Sequence, residues 1–245
     1  MKRWLLLLWL LVPLPVVVWH YGPGQRWLAR DRSQDLLREA RRAEDKREYA
    51  AAENLYRAAA GMLGNHDPAV RMKMELSAVR NRYYQGGALE AIDAADNLLG
   101  DARFSSVPAE VRREARELAG RMHYYAAWVM RLEGARRELW LEEAELARQN
   151  FRMLAESGIA GRDTAYARTQ QNNLEAAVKL QRLSMTELMA RPLPEEGRNQ
   201  TGQGLSEQKD QQRKGRGDKP GTGENQEGPP SKGAGTTRFP GGSGS

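Results

Sequence analysis

The chain has 245 residues, of which 40% are hydrophobic, 7% aromatic and 29% charged, with a formal net charge of +6 and no cysteine. The missing cysteine excludes disulfides, thiol nucleophiles, cysteine-ligated zinc and the lipid-modified cysteine of bacterial lipoproteins. The positive charge could indicate nucleic acid, but the basic residues interleave with acidic ones, as in Arg38-Glu39, Arg112-Arg113-Glu114 and Arg136-Arg137-Glu138, a pattern of ion-paired helix faces and not of a phosphate-binding stripe.

Lys2 and Arg3 precede an apolar run from Trp4 to Trp19, interrupted in character only by Pro13 and Pro15. Sixteen residues at a helical rise span roughly 24 Å, short of the ~30 Å hydrocarbon core but within reach when Trp4, Trp19 and Tyr21 sit at the interfaces, with Trp9 a further anchor residue inside the run. The residues fit an uncleaved anchor or a cleaved signal. The run is longer than a usual signal core and no Ala-x-Ala site follows it, both of which favour the anchor. Residues 1–24 are therefore expected to be a single N-terminal transmembrane segment. The short charged N-terminus predicts that everything after Tyr21 lies outside the cytoplasm.

From Ser33 to Met189 the apolar residues recur with helical spacing, and strand alternation is absent. Ser33 reads as an N-cap before Leu36, Leu37, Ala40 and Ala43. Tyr49, Ala52, Leu55, Tyr56, Ala59, Ala60 and Leu63 form the stripe of a second helix that stops at Gly64-Asn65. Asp67-Pro68 opens a third, with Met72, Leu76, Val79 and Tyr83, and after Gly86-Gly87 the returning stripe is Ala91, Ile92, Ala95, Leu98 and Leu99. Ser106-Val107-Pro108 opens a longer pair that turns at Gly134. A last amphipathic helix, capped by Asp163 or Thr164, runs to Leu188 as a single element. Short turns between helices of this length require antiparallel hairpins.

The stretch from Glu48 to Ala59 resembles the second helix of a tetratricopeptide repeat (TPR), with Tyr49, Ala52, Tyr56 and Ala59 on that family's aromatic and small positions. Gln85 to Ile92 resembles the same place in a next repeat, Ala91 matching Ala52 at a distance of 39 residues against the family's 34. The third pair departs from the pattern around Gly134 and Trp140. The resemblance implies an all-α, TPR-like α-solenoid of about three helix hairpins plus a capping helix over residues 33–190. Its concave wall would be lined by the first helix of each pair. That register puts Arg41, Arg80 and Tyr84 on the wall, as a basic, partly aromatic patch for an acidic or C-terminal peptide.

With its apolar start and polar tail, the chain also resembles the TPR components that accompany MoxR ATPases and von Willebrand A-domain proteins in bacterial envelopes. This implies a protein-binding scaffold at the inner membrane, facing the periplasm, with von Willebrand A-domain membrane proteins among its partners. A second resemblance, to translocon-associated TPR chaperones, implies binding of unfolded clients.

Residues 191–245 are dominated by Gly, Pro, Gln, Lys, Ser and Thr. From Pro192 onward eight basic and seven acidic residues nearly cancel. Such a segment is expected to stay disordered. Arg216-Gly217-Asp218 and Asn199-Gln200-Thr201 are three-residue matches that arise by chance in such composition.

No catalytic constellation is legible. His20, His66 and His123 are scattered, no phosphate-cradling loop or nucleophile elbow occurs, and Glu142-Glu143 reads as solvated helix surface. His123 reads as a packed or groove-lining residue. The expectation is a binding protein without catalytic residues, metal, cofactor, nucleic acid or small-molecule substrate.

Overall fold

The computed structural model describes residues 23–64, 67–160, 163–192 and 204–215. The described residues are helical, with no strand among them. In chain order the elements are α1 (Pro23–Asp45), α2 (Tyr49–Leu63), α3 (Pro68–Tyr84), α4 (Ala88–Leu99), a 3₁₀ turn (Ala102–Ser106), α5 (Ala109–Leu132), α6 (Arg137–Ala160), α7 (Thr164–Arg182), α8 (Met185–Met189) and α9 (Leu205–Gly215). The expected transmembrane segment, with Trp4, Trp9, Trp19 and Tyr21, lies outside the described residues, as do His20, His66 and the two short tail matches. Among the described residues no helix is long and apolar enough to cross a membrane.

Each of α1 to α7 packs chiefly on its neighbour in sequence, and α3 also touches α5. This is the arrangement that hairpins produce when stacked side by side. The turns follow from local chemistry. Asp67 accepts from Val70 N and Pro68 sits at the first helical position of α3. Gly86 (φ 100°) and Gly134 (φ 72°) take the left-handed conformation that closes the α3–α4 and α5–α6 hairpins.

Small residues set the seams. Ala52, Ala59 and Ala91 are fully buried, and Tyr56 packs with Ala40, Ala43 and Ala52. Tyr49 is partly buried, its ring 5.3 Å from that of Tyr84. At the α5–α6 crossing a β-carbon on Gly120 would lie 2.9 Å from the Phe151 ring, and at α6–α7 one on Gly158 would lie 3.0 Å from the Cα of Ala167. The helices touch nearly backbone to backbone at these points. The main core runs through α3, α4, α5 and the start of α6, with Met72, Leu76, Ile92, Val111, Met122 and Leu139 buried.

Three sequence expectations are corrected. Helix α1 begins at Pro23, so Ser33 caps nothing. It is buried inside the helix, where its hydroxyl donates to Ala59 O at 3.1 Å and ties α1 to α2. No residue between Gln25 and Ser33 breaks a helix, and proline at the first position starts one readily.

The last helix is two elements. It stops at Arg182, and a capping box at Ser184 and Glu187 starts α8. The Ser-x-x-Glu signature is local and competes with continuation of the longer helix.

Within the tail expected to be disordered, Leu205–Gly215 is a helix whose Leu205 is buried in the main core. An isolated helix shorter than about 12–15 residues is marginal in water, so α9 owes its order to what it packs against. The chain divides at Asp210, with Gln211–Ser245 forming a separate unit.

Candidate functional site: an inter-helical groove and a buried charge network

Alternate helices of a hairpin stack share a wall, and two adjoining recesses that share Arg80, Leu118 and Arg121 form a groove along α3 and α5 that reaches the start of α7. One end is a recess formed by Arg80, Tyr83 and Tyr84 of α3 and by Leu118, Arg121, Met122 and Tyr125 of α5. The other end, of about 310 Å³, shares Arg80, Leu118 and Arg121 and adds Glu110, Arg113, Glu114 and Glu117 of α5 with Asp163 and Tyr166 at the start of α7. The Arg113 guanidinium lies over the Tyr166 ring, 5.3 Å from its centroid, a favourable cation–π contact. Burial, with Glu117 nearby, pushes the Tyr166 hydroxyl up to about 12.

Of the residues assigned to this wall from sequence, Arg80 and Tyr84 stand in the recess, whereas Arg41 is an exposed residue of α1 outside its lining. Arg80 is not a bare cation. Its Nε and Nη2 donate to Glu44 Oε1 at 3.2 and 2.9 Å, while the Tyr56 hydroxyl donates to Glu44 Oε2 at 2.7 Å. This chain of bonds joins α1, α2 and α3. Burial, followed by the Glu44 hydrogen bond, lifts Tyr56 to about 12. The groove is therefore mixed in charge: arginines and tyrosines at the α3 end, and four carboxylates with Arg113 towards α7. Arg121, Tyr83 and Tyr125 were not assigned to the wall from sequence, although Arg121 and Tyr125 share one face of α5 with Leu118 at helical spacing.

A second recess, of about 660 Å³, lies between α6, α7 and α8 over Leu174, Val178 and Leu183. Two of its arginines are paired along their own helix, Arg148 with Glu145 at 2.5 Å and Arg152 with Glu156 at 2.9 Å. Surface pairs of this kind hold little energy.

The most concentrated charge lies elsewhere, between α4, α5, α6 and α9. The His123 ring is 1% exposed, and its Nδ1 and Nε2 donate to Glu143 Oε2 at 2.6 Å and Asp96 Oδ1 at 3.1 Å. Glu143 has no exposed surface, and its second oxygen is ion-paired with Lys209 Nζ at 2.6 Å. Burial alone would favour a neutral ring, but the hydrogen bonds and charges of Asp96 and Glu143 outweigh it and raise His123 to about 9. Burial likewise opposes the Glu143 charge, yet His123 and Lys209 together hold its carboxyl below the ordinary range. Two cations alternate with two anions, which is what lets charges persist in a packed interior.

This network corrects the reading of Glu143 as solvated surface. Glu143 falls three residues after Trp140 and four before Ala147, both buried, so the periodicity that marks the inner stripe of α6 includes it. Lys209 had no such signal, because nothing in the tail's composition announces a partner. Among the described residues no group of three or more His, Asp or Glu side chains has the arrangement to hold a metal ion, and no recess opens onto the His123 ring among those described above.

Helix α9 reaches the network by four contacts. Leu205 enters the core. The backbone N–H groups of Leu205 and Ser206 donate to the Glu133 carboxylate at 3.2 and 2.8 Å, capping the positive end of the helix dipole. Lys209 meets Glu143, and Asp210 pairs with Arg136.

No protein-family model, no curated protein and no solved structure matches this chain.

Proposed function

We propose that the chain is a non-enzymatic scaffold of the tetratricopeptide kind, which holds a segment of another protein along the groove between α3, α5 and α7. In this reading residues 1–24 anchor it in the bacterial inner membrane, the helical body faces the periplasm, and its partners are von Willebrand A-domain proteins of a MoxR-type envelope complex.

The observation that carries the binding role is the groove itself, an open channel walled by alternate helices with an aromatic and arginine-bearing recess at one end. Tyrosine and arginine are the side chains that most often anchor a partner. The groove's polarity sets what fits: an acidic residue at Arg121 beside the Tyr84 ring, and basic residues towards Glu110, Glu114 and Glu117. An array of packed hairpins offers an extended surface for recognition.

A photo-crosslinking residue placed at Tyr84 or Arg121 of the full chain in its native membrane tests this. The expected result is one discrete adduct of fixed stoichiometry, absent when the same residue is placed at the exposed Asn54 of α2. A broad spread of adducts would instead identify an exported chaperone of unfolded clients. Equal labelling from Asn54 and Arg121 would remove the groove from consideration.

A further inference from the structure

The segment that seats α9 is built like a receptor for a short helix. It offers a carboxylate, Glu133, aimed at the first two backbone N–H groups; an apolar hole filled by Leu205; a fully buried carboxylate, Glu143, one helical turn further on; and Arg136 beside it for an acidic residue. Each point reads a different feature of the incoming helix, and three of the four read charge or hydrogen bonding.

The occupant, by contrast, is nearly all polar. In Leu205-Ser206-Glu207-Gln208-Lys209-Asp210-Gln211-Gln212-Arg213-Lys214-Gly215, Leu205 is the only apolar side chain. A helix this short has little stability of its own, so it folds only where it docks. The seat is different. Glu143 and His123 belong to α6 and α5, which pack extensively on each other, and their 2.6 Å contact uses the Glu143 oxygen that Lys209 does not touch. A rigid seat holding a weakly helical internal occupant is the arrangement in which one ligand can be exchanged for another.

We propose that α9 is an internal ligand of a second docking site, and that this site, on α4, α5 and α6, accepts in its place a helix of a partner protein carrying leucine in its first turn and lysine four residues later. The spacing is dictated by the seat: at i and i+4 the two side chains lie on one helix face, which is what brings Leu205 into the core and Lys209 onto Glu143 together. A partner lysine would meet a carboxylate with no other cation than His123, and a partner leucine would refill a hole otherwise left open to water. The proposal does not depend on the groove between α3, α5 and α7, and either site could be real without the other.

The test uses the full chain and a fluorescent peptide with the sequence of residues 204–215. Wild-type chain should bind it weakly, because the tethered copy competes at high effective concentration. A chain carrying Leu205→Ala and Lys209→Ala should bind it at least tenfold more tightly, and a peptide with the same two changes should lose that gain. Equal binding by both chains, or no binding by the double variant while its circular dichroism remains helical, would overturn the proposal.

Hydrogen exchange on the wild-type chain decides the matter without any substitution. The α9 amides should exchange at least tenfold faster than those at the centre of α5; exchange at the same rate would make α9 an integral part of the core and end the idea. A wild-type dimer that exchanges its α9 helices would assign the seat to a second copy of this chain and overturn the claim of a foreign partner.

Discussion

Lys209 forms an ion pair with Glu143 at 2.6 Å, so a carboxylate without any exposed surface is neutralised from a part of the chain whose composition marks it as unstructured. The same carboxylate holds the His123 ring, and the stability of the helical body is tied to the charges of this group.

Raising the pH should weaken the fold across a defined window. His123 is lifted from its ordinary value of 6.5 to about 9 in the folded chain by Asp96 of α4 and Glu143 of α6, with Lys209 of α9 on the far side of Glu143. A group whose folded pKa is raised stabilises fully below its unfolded value and loses that contribution as pH rises through the folded one. Urea midpoints should therefore fall between pH 6.5 and 9, by the equivalent of about 3 kcal/mol. A flat profile for the wild type, or an undiminished slope in His123→Asn, would contradict this.

Removing the buried carboxylate should cost more than removing its surface-side partner. Glu143→Ala leaves the His123 and Lys209 cations in a packed interior and is expected to lose about 3–5 kcal/mol of stability. Lys209→Met, at a side chain 13% exposed, should lose visibly less, since His123 still pairs with Glu143. Chemical denaturation of both variants gives the order directly.

Arg131 should matter as a cap and not as a surface charge. Its guanidinium donates to Leu180 O and, at 2.7 Å, to Leu183 O, and it lies 4.4 Å from the centroid of the Trp140 ring. It thus satisfies carbonyls left without intrahelical partners where α7 ends. Arg131→Met should lower stability by about 1–3 kcal/mol and speed amide exchange in the last turn of α7 more than elsewhere.

The helix crossings should reject even one methyl group. Gly120→Ala would place its β-carbon 2.9 Å from the Phe151 ring, and Gly158→Ala would press on the backbone of Ala167 at 3.0 Å. A ring can turn aside more easily than a main chain, so both should destabilise by about 1–3 kcal/mol, Gly158→Ala the more of the two. Thermal melts of the two single variants test the ranking.

The Glu44–Arg80 contact should couple only modestly. Their side chains are 22% and 33% exposed, and solvent screens much of the attraction. A double-mutant cycle to alanine is expected to return about 0.5–1 kcal/mol. A much larger value would mean that the hydrogen bond from Tyr56 to Glu44 is part of the same cooperative unit.

The sequence alone determined the helical class, the hairpin boundaries at Gly64, Gly86 and Gly134, and the alanine seams at Ala52 and Ala91. These rest on local periodicity and turn chemistry, which a single segment expresses without its neighbours. It misjudged Ser33, Glu143 and the tail for one shared reason. A polar residue on a buried stripe is indistinguishable from a surface one until its partner is known, and the partners of these residues, Ala59, His123 and Lys209, come from distant parts of the chain. Only tertiary packing could decide that Arg80 faces Glu44, that α3, α5 and α7 share a groove, and that Lys209 of a polar helix meets the fully buried carboxylate of Glu143.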